Sequence, residues 1–484
     1  MRKFVHLVAL VLVLSGVFAL FGCAVNPVTG QQQLMLLTEQ DEAQMGKTTD
    51  QSVIDQYGVY KDSGLQAYLQ TMGQAMGRNS HRANLDWQFK VMDTSVANAF
   101  AAPGGYIYVT RGLLAAINNE AELAGILGHE IGHVTARHSA QKYSKMMLAN
   151  LGMGLGQSLL GSYGDVLSPI LETGAGLLFL KFSRDDEREA DALGVEYATR
   201  AGYDAGRMAD FFITLQRQPS VNGQQSARLP EFFSTHPNPA NREATVRAMA
   251  KNWQAKFPGQ KFRVNRKSFL SKIDGLVYGE DPRKGFREGD WYYLPEYKVK
   301  LPIPAGWKLE REGNNLQMTP QKGKAVSLFT IRPQSRTSQV VIAFLKSTGA
   351  KVHQDHTSIT DGMPTRQLLS VISDGNQRAV VISYFYQKGT DVFAFHGMVD
   401  EASYSAMSKL IQRPATGFST MTNRARLNRQ PKRIVVKSVA RSATMEKTLR
   451  AMKVDSKLWA KVAWLNGRQL GDVLNGGEQI KVIK

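Results

Sequence analysis

Residues 121–138 read AELAGILGHEIGHVTARH, and this stretch decides the fold around it. Its apolar residues recur at the spacing that predicts an amphipathic helix. His129 and His133 are four residues apart, so both imidazoles lie on one face of that helix and can bind one metal ion. Glu130 lies beside them, placed to take a proton from a metal-bound water. The alternative is an ordinary surface helix with two histidines, and the HExxH spacing favours the metal site.

A metal site needs a third ligand. His138 follows His133 by five residues and points to another side of a helix, so we interpret it as a residue that supports a ligand. Glu187, in the run EREAD, is the better candidate. Glu187 and Asp191 share a helix face, so one can reach the metal while the other orients a ligand histidine. Two histidines and one glutamate leave a position for water, as catalytic zinc sites do. Taken alone, the acidic run is typical of a solvated helix start.

The N-terminal segment 1–22 has the features of an export signal. Two basic residues precede an apolar stretch at 4–21, which is typical of a secretory signal. Cys23 follows directly, and the arrangement resembles a bacterial lipobox, whose cysteine carries lipid. A plain signal peptide or a membrane anchor is the alternative. Ala24 at the next position favours the outer membrane over the inner, so we expect a periplasm-facing lipoprotein.

Composition excludes several classes of protein. The chain of 484 residues is 43% hydrophobic and 21% charged, which is typical of a globular protein and excludes a disordered or collagenous one. A single cysteine excludes an intramolecular disulfide and a cysteine zinc cage. The net charge of +19 requires a partner or a location to explain it. Nucleic acid is not expected as a partner of an exported lipoprotein.

Local patterns predict several elements. Thr38, with Asp41 three residues later, predicts the start of a helix. Residues 87–97 and 104–110 alternate in the manner of strands. Residues 186–199 predict a further helix.

The chain is expected to be multidomain. We expect a metal-binding domain at 23–265, a glycine-rich linker at 266–295 and an α+β domain of unknown role at 296–420. Residues 424–484 predict a small basic βααβ domain, with 15 Lys and Arg against 4 Asp and Glu. The apolar stretch 146–180 is interpreted as core-packing helices, because polar residues interrupt it before it reaches the length of a membrane span. A membrane-dipping hairpin is the alternative.

The HEIGH motif, the following ARH, the EREAD run and the upstream NAFAAPGGYIYVTRGLL together resemble the gluzincin zinc metallopeptidases related to HtpX, BepA and the CAAX prenyl endoprotease. The resemblance covers about residues 26–250. It implies one zinc ion per chain, bound by His129, His133 and Glu187. It also implies that Glu130 is the general base that activates a zinc-bound water.

The same resemblance implies roles for residues around the metal. Asp191 matches the aspartate that supports a ligand in this family. His236, in the segment STHP, and Arg242 match an element near the metal, so His236 or Arg242 is expected to assist the oxyanion. His236 is alternatively a fourth zinc ligand in a closed state.

Members of this family fold as a mainly helical domain with a small sheet whose edge receives the substrate. We therefore expect an extended polypeptide to add as a further strand along the edge formed by Gly105, Tyr106, Ile107 and Tyr108.

The expected function is that of a membrane-anchored periplasmic zinc metalloendopeptidase acting on misfolded or misassembled envelope proteins. The alternative is an envelope chaperone or a peptidoglycan-binding lipoprotein with a latent zinc site. Transmembrane helices of the HtpX kind and a TPR array like that of BepA are not visible, so the assembly partners of BepA are not assumed.

The tail resembles a LysM-like module in Leu465-Asn466-Gly467 and the closing GGEQIKVIK. Such modules bind N-acetylglucosamine polymers, which implies peptidoglycan binding by residues 424–484. The usual Gly-Asp-Thr opening is replaced by RSAT at 441–444. A basic module that lies on an anionic surface is an equal alternative.

Overall fold

The structure of the protein is a computed structural model, which describes residues 23–154, 181–217, 231–237, 241–322, 325–374 and 377–484. The predicted signal segment and most of the apolar stretch 146–180 lie outside the described residues. The chain divides into two compact units, one formed by residues up to Gly279 with Lys432–Lys484 and the other by Glu280–Pro431. Among the described helices, none combines the length and the apolar character that crossing a membrane requires.

The helices in chain order are α1 Glu39–Tyr57, α2 Ser63–Gly77, α3 Arg111–Ala116, α4 Glu120–Thr135, α5 His138–Gly154, α6 Arg184–Arg200, α7 Arg207–Gln216, α8 Glu231–Thr235, α9 Arg242–Gln254, α10 Arg266–Ile273, α11 Thr337–Thr348, α12 Tyr404–Thr416, α13 Arg424–Leu427, α14 Met445–Ala451 and α15 Trp459–Leu465. The strands are β1 Cys23–Val25, β2 Gln32–Leu34, β3 Gln88–Met92, β4 Ala99–Ala102, β5 Tyr106–Thr110, β6 Phe286–Glu288, β7 Trp291–Leu294, β8 Val299–Pro302, β9 Lys308–Glu312, β10 Asn315–Thr319, β11 Val326–Arg332, β12 Lys351–Thr360, β13 Met363–Asp374, β14 Gln377–Lys388, β15 Asp391–Asp400, β16 Ser419–Thr420, β17 Ile434–Ser438, β18 Ala443–Thr444, β19 Val473–Leu474 and β20 Gln479–Ile483.

Helix α4 carries the HExxH motif and is buried along its whole length. Asn119 caps it, since its side chain accepts a hydrogen bond from the backbone N–H of Glu122. The helix ends at Thr135, three residues before the predicted end. Arg137 has a left-handed φ of 61°, which breaks the helix, and α5 begins at His138.

Helices α4 and α6 approach closely because both have glycine where they meet. A Cβ on Gly128 would lie 2.7 Å from the carbonyl oxygen of Gly194, and a Cβ on Gly194 would lie 2.9 Å from the backbone nitrogen of His129. Neither position has room for a side chain. This close approach brings the motif histidines of α4 towards the acidic residues of α6.

The small sheet of the first unit has the order β3-β5-β4. Strand β5 pairs with β3 in parallel and with β4 antiparallel. The prediction that residues Gly105, Tyr106, Ile107 and Tyr108 form the substrate edge is therefore wrong, because both sides of β5 are occupied. Strand β4 lies at an edge of this sheet.

Most of the basic C-terminal segment 424–484, from Lys432 onwards, belongs to the first unit. Its strand–helix–helix–strand order is present, and β17 pairs antiparallel with β20. The Nζ of Lys481 is buried and donates hydrogen bonds of 2.7 Å to the carbonyl oxygens of Ala115 and Ile117. The Nε1 of Trp464 donates to the carbonyl oxygen of Thr214 at 2.6 Å. The segment thus shares the hydrophobic core of the first unit, where the sequence predicts a separate domain.

The predicted linker at 266–295 is largely structured. Its first residues form α10, whose apolar side chains are buried in the core of the first unit. The boundary between the two compact units falls after Gly279, within this segment.

The second unit is rich in β-structure, in agreement with the predicted α+β domain. Seven antiparallel strands form a sheet in the order β12-β13-β14-β15-β11-β10-β9. Strands β16, β8, β7 and β6 form a second sheet. Helix α12 packs on this unit through Ile411 and Ala415, which are buried in its hydrophobic core.

Candidate metal centre

Three predicted ligands converge inside the first unit. The Nε2 atoms of His129 and His133 lie 3.0 Å apart. The carboxylate of Glu187 lies 3.6 Å from His129 Nε2 and 3.4 Å from His133 Nε2. All three side chains are at most 1% exposed. Their conjunction follows from the i, i+4 spacing in α4 and from the close packing of α6 against it.

These atoms fit a metal ion. Four ligands about 2.05 Å from a tetrahedral zinc ion lie about 3.3 Å from one another, and the observed separations of 3.0–3.6 Å bracket that value. Two imidazoles and a carboxylate are also the donor set that zinc takes in catalytic sites. Of the described residues, only these three and His236 form a cluster of potential metal ligands.

His236 completes the cluster from the loop after α8. Its Nδ1 lies 3.0 Å from Oε1 of Glu187 and 3.3 Å from Nε2 of His129. The ring of Phe232 stacks on it, with centroids 4.7 Å apart. Burial by itself lowers the pKa of His236, but the carboxylates of Glu187 and Glu130 outweigh burial and raise it.

Glu130 has the surroundings of a proton acceptor. Its side chain is fully buried, and neither carboxylate oxygen has a hydrogen-bond partner among the residues that the structure describes. Nε2 of His236 lies 3.5 Å from Oε1 of Glu130. Burial raises the pKa of Glu130, against the effect of the neighbouring histidines. A buried carboxylate that accepts no hydrogen bond is costly, which fits a group reserved for chemistry.

Asp191 and Arg242 support His129. Oδ1 of Asp191 lies 2.9 Å from His129 Nδ1, which leaves Nε2 free for a metal. Arg242 donates two hydrogen bonds to this carboxylate, at 2.8 and 2.7 Å, and packs over the ring of Phe212. Such partners fix the tautomer and the orientation of a ligand histidine. Arg242 also lies 3.3 Å from Oε2 of Glu187. Its observed contacts are therefore those of a residue that orients both carboxylates, and its predicted oxyanion role stays a prediction.

The ligands differ in their electrostatic surroundings. Burial lowers the pKa of His133 well below its usual value, which favours the neutral imidazole that binds metals. Burial alone would raise the pKa of Glu187. His236 and hydrogen bonds from His133 and His236 lower that pKa instead, so the carboxylate is ionised. Both ligands thus hold the protonation state that a metal requires.

Comparison with known proteins identifies the region that holds this site. Residues 63–250 match the family described as Peptidase family M48. These residues are an M48 peptidase domain. The prediction of a zinc metallopeptidase family is confirmed, and the domain contains all of the candidate ligands.

Relatives of the M48 domain are found in bacteria and in plants. The chain is 29% identical over 202 residues to the beta-barrel assembly-enhancing protease of Yersinia pestis, which covers 39% of this chain and 40% of that protein. It is 34% identical over 185 residues to the mitochondrial metalloendopeptidase OMA1 of Arabidopsis thaliana, covering 38% and 36%. It is 27% identical over 221 residues to the beta-barrel assembly-enhancing protease of Escherichia coli strain K12, covering 43% and 44%. The chain thus spans less than half of the length of each of these three relatives.

Some residues around the M48 site escaped prediction. The ring of Phe182 stacks on His133, with centroids 4.0 Å apart. Oε2 of Glu189 lies 3.3 Å from Nε2 of His138. Glu189 was not expected near the site because it does not share the helix face of Glu187. The sequence offered a signal for Glu189, which lies within the EREAD run. For Phe182 the sequence offered no signal except its position next to Ser183, the N-cap of α6.

Proposed function

We propose that the protein is a zinc metalloendopeptidase of the cell envelope, which faces the periplasm and is held at the outer membrane by lipid on Cys23. The observation that carries the activity is the buried convergence of His129, His133 and Glu187 beside Glu130, whose carboxylate accepts no hydrogen bond from the described residues. For substrates we propose misfolded or misassembled envelope proteins. The names of the Yersinia and Escherichia relatives, both beta-barrel assembly-enhancing proteases, support this class.

In the proposed peptide hydrolysis, Glu130 and His236 have different roles. When bound, zinc supplies a Lewis acid that polarises a carbonyl group and lowers the pKa of water. Glu130 accepts the proton of the attacking water at one carboxylate oxygen and passes it to the leaving nitrogen. Its raised pKa makes it a stronger base than an exposed glutamate. His236 assists the oxyanion through Nε2, which is buried and has no hydrogen-bond partner within the described ranges.

The substrate binds in extended form along β4 in this proposal. Strand β4 lies at the edge of the small sheet and contacts α4, which carries the ligand histidines. An added strand uses the backbone amides of alternate residues. Peptide substrates N-methylated at one position in turn should therefore lose kcat/KM at alternate positions, by up to about tenfold for each lost hydrogen bond. A uniform response along the peptide would argue against strand addition.

Replacement of the proposed base tests the activity. Glu130→Gln should lower kcat on casein by about 100-fold or more, since general-base catalysis contributes this much, and should leave the zinc content unchanged. Glu39→Gln is the matched control, because the side chain of Glu39 is 69% exposed. Unchanged turnover in Glu130→Gln would refute the mechanism.

A second candidate is a latent enzyme. His236 Nδ1 lies as close to Glu187 and His129 as these ligands lie to each other, so His236 can complete a closed, four-ligand site that excludes water. In that case His236→Ala should gain peptidase activity. An unchanged activity would exclude both gating and an oxyanion role for His236, whereas a lower activity would exclude gating and fit its oxyanion role.

We also propose that residues 424–484 bind an envelope surface, either peptidoglycan or an anionic one. The strand–helix–helix–strand order and the excess of basic residues support this proposal. Cosedimentation of the full chain with peptidoglycan at increasing salt tests it. Retention at about 1 M salt indicates glycan recognition, whereas loss of binding indicates charge alone. Absence of binding at low salt would refute peptidoglycan binding.

A further inference from the structure

His133 and His138 contact each other only because the helix breaks between them. If α4 continued through residue 138, the two side chains would be about 140° apart around its axis, at 3.6 residues per turn. The left-handed φ of 61° at Arg137 ends the helix and turns the chain. As a result, Nδ1 of His138 lies 3.0 Å from Nδ1 of His133.

The proton positions along this contact follow from metal binding. Nε2 of His133 faces His129 and Glu187, so His133 carries its proton on Nδ1 when Nε2 holds a metal. Nδ1 of His133 then donates, and Nδ1 of His138 accepts. A neutral His138 that accepts at Nδ1 carries its proton on Nε2, and this atom lies 3.3 Å from Oε2 of Glu189.

The surroundings hold this chain of contacts in place. His133 and His138 are 1% and 3% exposed, and the ring of Phe182 lies against both imidazoles. The side chain of Glu189 is 30% exposed, yet its Oε1 is buried and has no hydrogen-bond partner among the described residues. The carboxylate therefore points inwards to His138, although its helix position allows it to reach solvent.

We propose that His138 and Glu189 form a hydrogen-bond relay that holds His133 in its metal-binding tautomer and orientation. The two ligand histidines are then oriented by separate sets of contacts. Asp191 and Arg242 orient His129, and His138 and Glu189 orient His133. This inference rests on the proposed zinc site. His138 and Glu189 act as positioning residues, since neither faces the ligand cluster directly.

The affinity for Zn²⁺, measured by competition with a chelator, tests the relay. His138→Phe should weaken zinc binding by about 10–100-fold, as the loss of such partners typically does. Glu189→Ala should weaken it several-fold, and Glu189→Gln should restore much of the loss because its amide oxygen still accepts from Nε2. Asp185→Ala is the control on the same helix, since that side chain is 85% exposed.

The tautomer of His138 gives a second readout that needs no variant. In the zinc-loaded protein labelled with ¹⁵N-histidine, the relay requires the proton of His138 on Nε2. A proton on Nδ1 would overturn the relay, as would zinc affinities of His138→Phe and Glu189→Ala within twofold of the parent. If the parent binds no zinc, the proposed function fails, whereas a parent that binds zinc with unaffected variants refutes the relay alone.

Discussion

The Nε2 atoms of His129 and His133 lie 3.0 Å apart in a region that solvent does not reach. Two buried imidazoles so placed repel each other if protonated, and both point at the carboxylate of Glu187. The pair is therefore best explained by a shared cation, and the surrounding residues have contacts that serve to orient these two side chains.

Asp191 should control metal affinity. Asp191→Ala removes the acceptor of His129 Nδ1 and the two hydrogen bonds that Arg242 donates to it, and leaves Arg242 with Glu187 as its acidic partner. We expect zinc binding to weaken by about 10–100-fold, measured by chelator competition. Glu196→Ala is the control on the same helix, because Glu196 pairs with the partly exposed Arg200. Equal affinities of the two variants would contradict the role of Asp191.

A buried ion cluster should stabilise the C-terminal end of α4. Glu42 accepts hydrogen bonds from Arg82 and Arg137, and Arg82 also donates to the carbonyl oxygen of Val134. Glu42→Ala leaves the buried guanidinium of Arg137 without a counter-charge and that of Arg82 with only the exposed Glu39. It should lower the free energy of unfolding by about 3–5 kcal/mol. Urea unfolding measures the effect.

The control for this cluster is Glu39→Ala. Glu39 also pairs with Arg82, but its side chain is 69% exposed, and exposed ion pairs contribute little. The same loss of stability in both variants would show that the contact with Arg82, and not burial of the charge, explains the effect.

Sequence predicted those parts of the site that depend on local spacing. Thr38 does cap α1 with Asp41 in a capping box, and the four-residue spacing of His129 and His133 gave their common face. The strand order could not be predicted, because pairing of β5 on both sides depends on residues distant in sequence. The contact between His133 and His138 was also not predictable, since it depends on the backbone conformation of Arg137.

The buried position of Lys481 is a further feature that the sequence does not predict. Its basic neighbours predict a solvated surface, but Lys481 donates to the carbonyl oxygens of Ala115 and Ile117, at the C-terminal end of α3. Burial lowers its pKa well below the usual value, and burial raises the pKa of the nearby Glu122 to about 7. Lys481→Met should therefore lower the free energy of unfolding of the first unit by about 3 kcal/mol.

A double-mutant cycle tests this interpretation of Lys481. Lys481→Met combined with Glu122→Gln should be less destabilised than the two single variants predict together, because neither buried charge then remains unpaired. Lys447→Met, at an exposed position of α14, should leave the urea midpoint unchanged. Strict additivity in the cycle would show that the two charges are not coupled.

The second unit should lose stability in mild acid through His396. This imidazole lies 2.9 Å from the hydroxyl of Ser383 and stacks on Phe344. Burial, with a smaller effect of Arg332, lowers its pKa from 6.5 to about 4. Because the folded pKa is lower than the unfolded one, the stabilisation is complete above pH 6.5 and is lost as pH falls through 4.

The loss between these two pH values should amount to about 3 kcal/mol. The measurement is the urea concentration at which half of β15 is unfolded. It is monitored by hydrogen exchange and mass spectrometry of peptides that cover β15, at pH values from 7 to 4. His396→Asn should remove this part of the pH dependence, and His353→Asn, in the exposed strand β12, should retain it. An unchanged pH dependence in His396→Asn would refute the assignment.

Zinc content tests the central claim most directly. Mass spectrometry of the protein lacking residues 1–22 should find about one zinc per chain, and Glu187→Ala should have lost most of it, because two histidines alone rarely retain the ion. Glu39→Ala should match the parent. Full zinc in Glu187→Ala would remove Glu187 from the ligand set, and a parent without any metal would contradict a metallopeptidase.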